Sequence, residues 1–144
     1  MTDAAELPHA VYDQIKVLGA EGDGLAEAGR FDEAIARYEA AWEALPEPKQ
    51  VWNAATWILG AIGDVAFQAG QTSLAIDALG SAIQCPGGTD NPFLRMRLGQ
   101  ALLDAGDEDS AAHALGRALA LAGPEIFTRE DGRYLAFAAA RMKA

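Results

Sequence analysis

The sequence predicts an all-α fold: a helix-turn-helix solenoid of three helix pairs closed by a C-terminal capping helix. The first observation behind this is one phrase written three times at a fixed phase. It runs Leu18-x3-Gly22-x2-Leu25-x3-Gly29-x4-Ala34-x3-Tyr38-x2-Ala41, then Leu59-x3-Gly63-x3-Phe67-x2-Gly70-x4-Ala75-x3-Leu79-x2-Ala82. The third copy is Leu98-Gly99-x2-Leu102-x3-Gly106-x4-Ala111-x3-Leu115-x2-Ala118. Self-similarity at a period of roughly 20 to 50 residues marks a stacked repeat array. The second observation is what each copy contains: a helix, a glycine turn, and a second helix whose small residues let it lie close to the first. The third is composition, 51% hydrophobic and rich in alanine, which suits close-packed helices. A single domain is expected over 1–144, with repeats at about 8–46, 50–86 and 91–123 and a capping helix at 128–143.

Each element has its own warrant. Pro8 opens the first helix, whose apolar positions Val11, Ile15, Leu18 and Leu25 recur at helical spacing until Gly29. Asp32 is expected to cap the second helix, with Ile35, Tyr38, Ala41, Trp42 and Leu45 turned inward. Pro46-Glu47-Pro48 ends it, because the residue before a proline is pushed out of the helical region. The third helix is expected from about Gln50 to Ala69. The fourth runs from Ser73 to Gln84 and stops at Cys85-Pro86-Gly87-Gly88. Asn91-Pro92 opens the fifth, proline being tolerated in a first turn. Asp107 caps the sixth, which ends near Gly123-Pro124. The last helix is expected to start at Thr128, with Asp131 completing a capping-box pattern and Leu135 and Phe137 packed inward. A terminal helix is what a solenoid needs, since its end otherwise exposes core.

The repeated phrase resembles the tetratricopeptide repeat, a helix-turn-helix unit of about 34 residues. The resemblance covers roughly Lys16 to Gly123 and is strongest in the first copy, with its Ala28-Gly29-Arg30-Phe31-Asp32-Glu33-Ala34 turn and closing Pro46. Glu21 departs from the pattern at a position that should be apolar. The turn glycines Gly29, Gly70 and Gly106 are 41 and 36 residues apart. The first interval is therefore about two helical turns longer than the repeat norm. The excess is placed in a longer connection and first helix of the second unit, around Glu47 to Trp57.

A second resemblance rests on rarer strings: Leu45-Pro46-Glu47-Pro48-Lys49, Trp52 to Asp64, Cys85-Pro86-Gly87-Gly88, Asn91 to Gln100, and Glu125-Ile126-Phe127. These are similar to a set of small free-standing bacterial tetratricopeptide proteins that accompany secreted or contact-delivered toxin genes. That resemblance implies a cytosolic immunity or escort protein.

The formal net charge is -10, and residues 1 to 50 hold eleven acids against Lys16, Arg30, Arg37 and Lys49. Such a surface repels phosphate backbones, so nucleic acid is not the expected partner. A basic protein or peptide is, because opposite charge speeds encounter; acidity also serves solubility alone. No apolar run reaches the roughly 18 residues of a membrane span. Met1–Glu6 is acidic and lacks the basic and apolar regions of a signal peptide. The one cysteine, Cys85, excludes an internal disulfide, and a reduced cytoplasmic setting is expected.

The search for chemistry returns no catalytic constellation, and no metal or cofactor is expected. His9 and His113 lie far apart in sequence and outside any metal-ligand spacing. Cys85 has no histidine near it in sequence to act as a base. Gly19-x2-Gly22-x-Gly24 falls inside a helix, not in a phosphate loop. Asp107-Glu108-Asp109 lacks the ligand alternation of a calcium loop and suits a helix start instead. The chain is not expected to be an enzyme.

What remains is a groove. In tetratricopeptide arrays the first helix of each pair lines the concave face, and the resemblance assigns Gly19, Asp23 and Ala26 to it from the first copy. Trp57, Gly60, Ala61, Asp64 and Phe67 follow from the second, and Phe93, Met96, Arg97, Gln100 and Asp104 from the third. Of these, Asp23, Trp57, Asp64, Phe67, Phe93, Met96, Arg97, Gln100 and Asp104 are the candidate partner-binding residues. Members that hold a peptide's terminal carboxylate use Lys, Asn and Arg here, and only Arg97 fits, so that role is disfavoured. An apolar and acidic wall suits a segment carrying hydrophobic anchors and Lys or Arg. The competing reading makes Trp57, Phe67 and Met96 inter-helix core. A generic scaffold or chaperone-like adaptor is the alternative function, and the terminal helix offers an apolar edge for a homodimer.

Overall fold

The structure, a computed structural model, describes residues 7–142. Met1–Glu6, on which the signal-peptide argument rests, and Lys143–Ala144 lie outside the described residues. The chain forms α1 (His9–Glu27), α2 (Phe31–Ala44), α3 (Asn53–Gln68), α4 (Thr72–Ile83), α5 (Pro92–Asp104), α6 (Glu108–Ala122) and α7 (Gly132–Met142). Short 3₁₀ turns at Lys49–Val51 and Pro124–Phe127 precede α3 and α7, and no strand occurs among the described residues. The all-α solenoid of three helix pairs plus a terminal helix is thus the observed fold.

The three pairs are built by one device. A Cβ placed on Gly22 would sit 2.4 Å from Tyr38 Cε1, on Gly63 2.3 Å from Leu79 Cγ, and on Gly99 2.5 Å from Leu115 Cγ. Each glycine lets the large residue of the second helix lie directly on the first. Ala34, Ala41, Ala75, Ala82, Ala111 and Ala118 are all fully buried at the same seams. The turns match as closely. Gly29, Gly70 and Gly106 take φ of +77°, +76° and +89°, a region that only glycine occupies without strain. After each, the next amide reaches back to close the helix end: Arg30 N to Leu25 O, Gln71 N to Ala66 O, and Asp107 N to Leu102 O.

Several expected details differ. Asp32 does not cap α2; it sits in the first turn and accepts from Gln71 Nε2 at 2.9 Å, tying two turns together. The third helix begins at Asn53, not Gln50, because Lys49–Val51 winds as 3₁₀ and Trp52 is extended. This connection is as long as the one between α4 and α5. The difference between the 41- and 36-residue intervals therefore lies in the helices, 14 and 16 residues in α2 and α3 against 12 and 13 in α4 and α5. Lys49 Nζ holds the connection by donating to the carbonyls of Trp42, Glu43 and Leu45 at the end of α2, the last at 2.7 Å. Trp52 Nε1 donates to Pro46 O at 2.8 Å. Asn91 and Asp107 do cap α5 and α6, accepting from Leu94 N and Ser110 N. No capping box forms at Thr128, whose hydroxyl donates to Glu125 O, and α7 starts at Gly132. Its buried residues are Tyr134 and Ala138, with Leu135 and Phe137 only half-buried beside them. Glu21 stays in solvent, facing Arg37 at 3.3 Å.

The core is continuous from Ile15 to Leu94 and Ala101, and a smaller cluster of Met96, Leu115, Ala118, Phe127, Tyr134 and Ala138 seals the far end. Phe67 touches both.

Candidate functional site

The first helices α1, α3 and α5 draw together, and this makes one face of the array concave. Glycine again sets the spacing. A Cβ on Gly19 would meet the Trp57 ring at 3.0 Å, and one on Gly60 would meet Leu94 Cδ2 at 3.0 Å. Along α3, Asn53, Thr56, Trp57, Gly60, Ala61 and Asp64 share one helical face by their spacing. Opposite them stand Asn91, Phe93 and Leu94, and the cleft between measures about 300 Å³. Trp57 and Phe93, 39% and 37% exposed, are its two large apolar walls. Two such rings on one cleft form an apolar patch open to a ligand. Thr56 Oγ1 donates to Pro86 O at 2.6 Å, which ties the cleft rim to the loop after α4.

One aspartate recurs on each first helix, and each is engaged from a later element: Asp23 from α2, Asp64 from α5 and Asp104 from α7. Asp23 accepts from Tyr38 OH at 2.7 Å. Asp64 accepts from Arg97 Nε at 2.9 Å. Asp104 accepts from Arg133 Nη2 and from Tyr134 OH, the latter at 2.8 Å. Burial, and then the bond to Asp23, pushes the Tyr38 phenol far above its ordinary range. The same two causes push Tyr134 up to about 12. Hydrogen bonding to Asp104 likewise raises Arg133. Both tyrosines therefore stay protonated donors at neutral pH.

Arg97 is the centre of the densest cluster. Its Nη1 donates to Gln100 Oε1 at 2.8 Å and to Glu130 Oε1 at 2.6 Å, and Gln100 Nε2 also donates to Glu130 Oε1 at 2.8 Å. The guanidinium lies 4.9 Å from the Phe67 ring centroid and 5.0 Å from that of Phe93, so two aromatic faces flank it. With Asp64 on a third side, Nε and Nη1 are engaged within the chain, while Nη2 has no hydrogen-bond partner among the described residues.

The candidate residues thus divide. Trp57 and Phe93 line the cleft, with Asp64 at its edge. Phe67 is half-buried against both cores. Met96 is 1% exposed and belongs to the far core cluster, so its placement in an open groove is corrected: it is inter-helix core. Gln100 is fully buried and Arg97 nearly so, and both serve the internal network instead of facing outward. Asp64 and Asp104 are partnered by arginines, which removes most of the open acidic wall expected from three aspartates. The acid that stays open is Asp23 with Glu27. They line a second cleft of about 290 Å³ with Tyr38, Gln68 and Asp64, and neither pairs with a cation among the described residues.

As site residues, the sequence reasoning passed over Asn53, Thr56 and Asn91. The first two were within reach, because they precede Trp57 and Gly60 at the same helical spacing. Glu130 and Arg133 carried no such signal, since they come from the irregular segment before α7 and its first turn.

Cys85 is buried, its thiol pushed up by burial and donating to Ser81 O at 3.4 Å. Among the described residues no group of three His, Cys, Asp or Glu side chains is placed to hold a metal ion, and no helix is long and apolar enough to cross a membrane.

No protein-family profile matches the chain, and no protein of curated function matches it. Solved structures do. The first tetratricopeptide domain of Spaghetti (RPAP3), bound to the HSP90 peptide SRMEEVD, superposes with a TM-score of 0.72 at 16% identity, covering 92% of this chain and 95% of that one. The Yersinia enterocolitica type III secretion chaperone SycD, in complex with a peptide of the translocator YopD, gives 0.71 at 18% identity, covering 91% and 95%. PcrH from Pseudomonas aeruginosa gives 0.71 at 19% identity over 99% of both chains. At these identities the likeness concerns architecture, and it establishes that this chain has the tetratricopeptide fold.

Proposed function

We propose that this chain is a protein-binding module, an escort that holds a segment of one protein partner in the cleft between α3 and α5. The observation that carries the reading is the pair of exposed rings, Trp57 and Phe93, which line one cleft together with Gly60, Ala61 and Leu94. A cleft of about 300 Å³ takes one or two apolar side chains. Asn53, Thr56 and Asn91 at its rim offer polar groups to an extended backbone. The neighbouring acidic cleft at Asp23 and Glu27 suits a lysine or arginine of the same segment. Two of the similar structures, those of RPAP3 and SycD, contain bound peptides, which agrees with this use of the fold.

A peptide's terminal carboxylate is not the expected ligand, because Arg97 is already engaged by Asp64 and Glu130. The escorted partner is a basic protein met in the cytoplasm. Neutralising a toxin is a special case of that role, supported by the resemblance of the Trp52–Asp64 and Asn91–Gln100 strings alone. No catalytic role is proposed.

A photo-crosslinking amino acid at Phe93 in the native host tests the reading, with the exposed Ala140 on α7 as the control position. One protein should crosslink at position 93 and not at 140. Phe93→Ala should then shorten the lifetime of that complex by roughly tenfold, on the order of 1–2 kcal/mol for an apolar anchor. Equal crosslinking at both positions sinks the cleft assignment.

A further inference from the structure

The convex side carries a larger cleft, of about 500 Å³, where α2 and α4 part above α3. Its apolar lining is Trp42 from α2, Leu59 and Ile62 from α3, and Leu74 and Ala78 from α4. Trp42, Leu59 and Leu74 remain partly exposed there. Three acids edge it: Glu39 and Glu43 one helical turn apart on α2, and Asp77 on α4. All three are exposed, and none joins an ion pair among the described residues. Lys49, the cation beyond the end of α2, is held on that helix's last carbonyls.

The next repeat supplies an internal control. Aligning Gly63 with Gly99 and Ala75 with Ala111 sets Leu59 against Arg95, Leu74 against Ser110, and Asp77 against His113. Glu39 and Glu43 likewise correspond to Gly80 and Gln84. The gap above α5 is lined by Leu98, Leu102 and Ala114 together with Arg95, Ser110, His113 and Asp109, the last paired with Arg141. Helix stacking is thus satisfied with arginine, serine and histidine at sites that are leucine, leucine and aspartate one repeat earlier. Stacking alone does not call for leucine at positions 59 and 74 or for three acids left without an ion-pair partner at the first gap.

We infer that this convex cleft is a second docking surface, and that its occupant is an amphipathic helix of a protein partner with lysine or arginine flanking an apolar stripe. The form follows from the groove: α4 has 12 residues, so the trough between α2 and α4 runs about 18 Å, three turns of a docked helix. Apolar side chains at i, i+4 and i+7 would meet Leu74, Ala78 and Trp42, while acids on both banks meet flanking cations. The like-signed rim selects against an acidic helix, and the net charge of -10 adds long-range attraction for a basic one.

The test uses an 18-residue synthetic helix of leucine and lysine with one apolar stripe, and the same peptide with glutamate for lysine. Chemical-shift mapping on the isotope-labelled protein should place the lysine peptide on α2, α4 and the outer side of α3, with no binding of the glutamate peptide. Leu74→Ser with Asp77→His, which borrows the residues of the following repeat, should weaken binding at least tenfold. Glu39→Gln with Glu43→Gln touches only exposed carboxylates and should weaken it several-fold, which keeps the test decisive if the first variant does not fold. Phe93→Ala should leave binding unchanged, which separates this surface from the concave one. Shifts confined to Thr56, Trp57 and Phe93, equal affinity for the glutamate peptide, or no binding would overturn the inference. So would sedimentation showing that a second copy of this chain covers the cleft, with a dimer that the Leu74→Ser, Asp77→His variant dissolves.

Discussion

Arg97 on α5 and Glu130 ahead of α7 lie 2.6 Å apart, nitrogen to oxygen, and this contact fastens the terminal helix to the wall of the concave cleft. The same guanidinium holds Asp64 on α3 at 2.9 Å, so one side chain joins the second repeat, the third repeat and the cap. Both carboxylates are largely covered, which makes the pair worth more than an exposed one.

Arg97→Met keeps a stem between Phe67 and Phe93 but leaves Asp64 and the Gln100 side-chain carbonyl without their donor and Glu130 with Gln100 Nε2 alone. The expected loss is about 2–4 kcal/mol in chemical denaturation, since breaking a buried pair strands the partner charges. The amides of α7 should show the largest rise in hydrogen exchange. An unchanged midpoint would refute the linking role.

Gly63→Ala places a Cβ 2.3 Å from Leu79 Cγ and should destabilise by about 1–3 kcal/mol. Gly24→Ala, on the same fold but with no atom within 4 Å of the new methyl, should stabilise by roughly 0.5–1 kcal/mol through helix propensity. Denaturant midpoints that move the same way in both variants would contradict the seam.

Gly70→Ala tests the turn and not the seam. No atom lies within 4 Å of its added Cβ, yet φ is +76°, so the penalty is conformational, about 1–2 kcal/mol. Thermal denaturation of this variant should show a clear loss, in contrast to Gly24→Ala.

Tyr134 gives a pH signature. Its phenol is raised to about 12 by burial and by its bond to Asp104, above the ordinary value of 10.0. The unfolded chain therefore releases this proton first, and the stabilisation is complete below about pH 10 and lost as pH rises toward 12. Stability of the native protein should fall across that window, and Tyr134→Phe should fall less steeply. Parallel curves would exclude the contribution.

Asp104→Asn should lower stability by weakening the Arg133 and Tyr134 contacts. Asp23→Asn with Glu27→Gln keeps an acceptor for Tyr38 OH and breaks no ion pair, so it should cost less stability than Asp104→Asn while flattening the salt dependence of partner association. Stopped-flow rates at several ionic strengths with the crosslinked partner check this. An unchanged salt slope removes Asp23 and Glu27 from the contact.

Helix number, turn positions and inter-helix seams were all legible in the sequence, because each rests on a local requirement that leaves a residue-level mark. Gly29, Gly70 and Gly106 mark positive φ, and Gly22, Gly63 and Gly99 mark close approach. The concave face was legible in outline as well, since helical spacing alone puts Trp57 and Phe93 on first helices. What those residues do there was decided by the tertiary structure. Periodicity cannot distinguish Phe93, left 37% exposed, from Met96 three residues later at 1%, because the difference depends on where α6 and α7 close over α5. Nor could three aspartates in a row reveal their partners. Arg97, Arg133 and Tyr134 reach them from later elements, and Glu130 completes the Arg97 cluster from an irregular segment, so the ion pairs form only once stacking is complete. Charge on a sequence is a sum. Where that charge stays open to a partner, as at Asp23 and Glu27, depends on which cations the fold has already brought beside it.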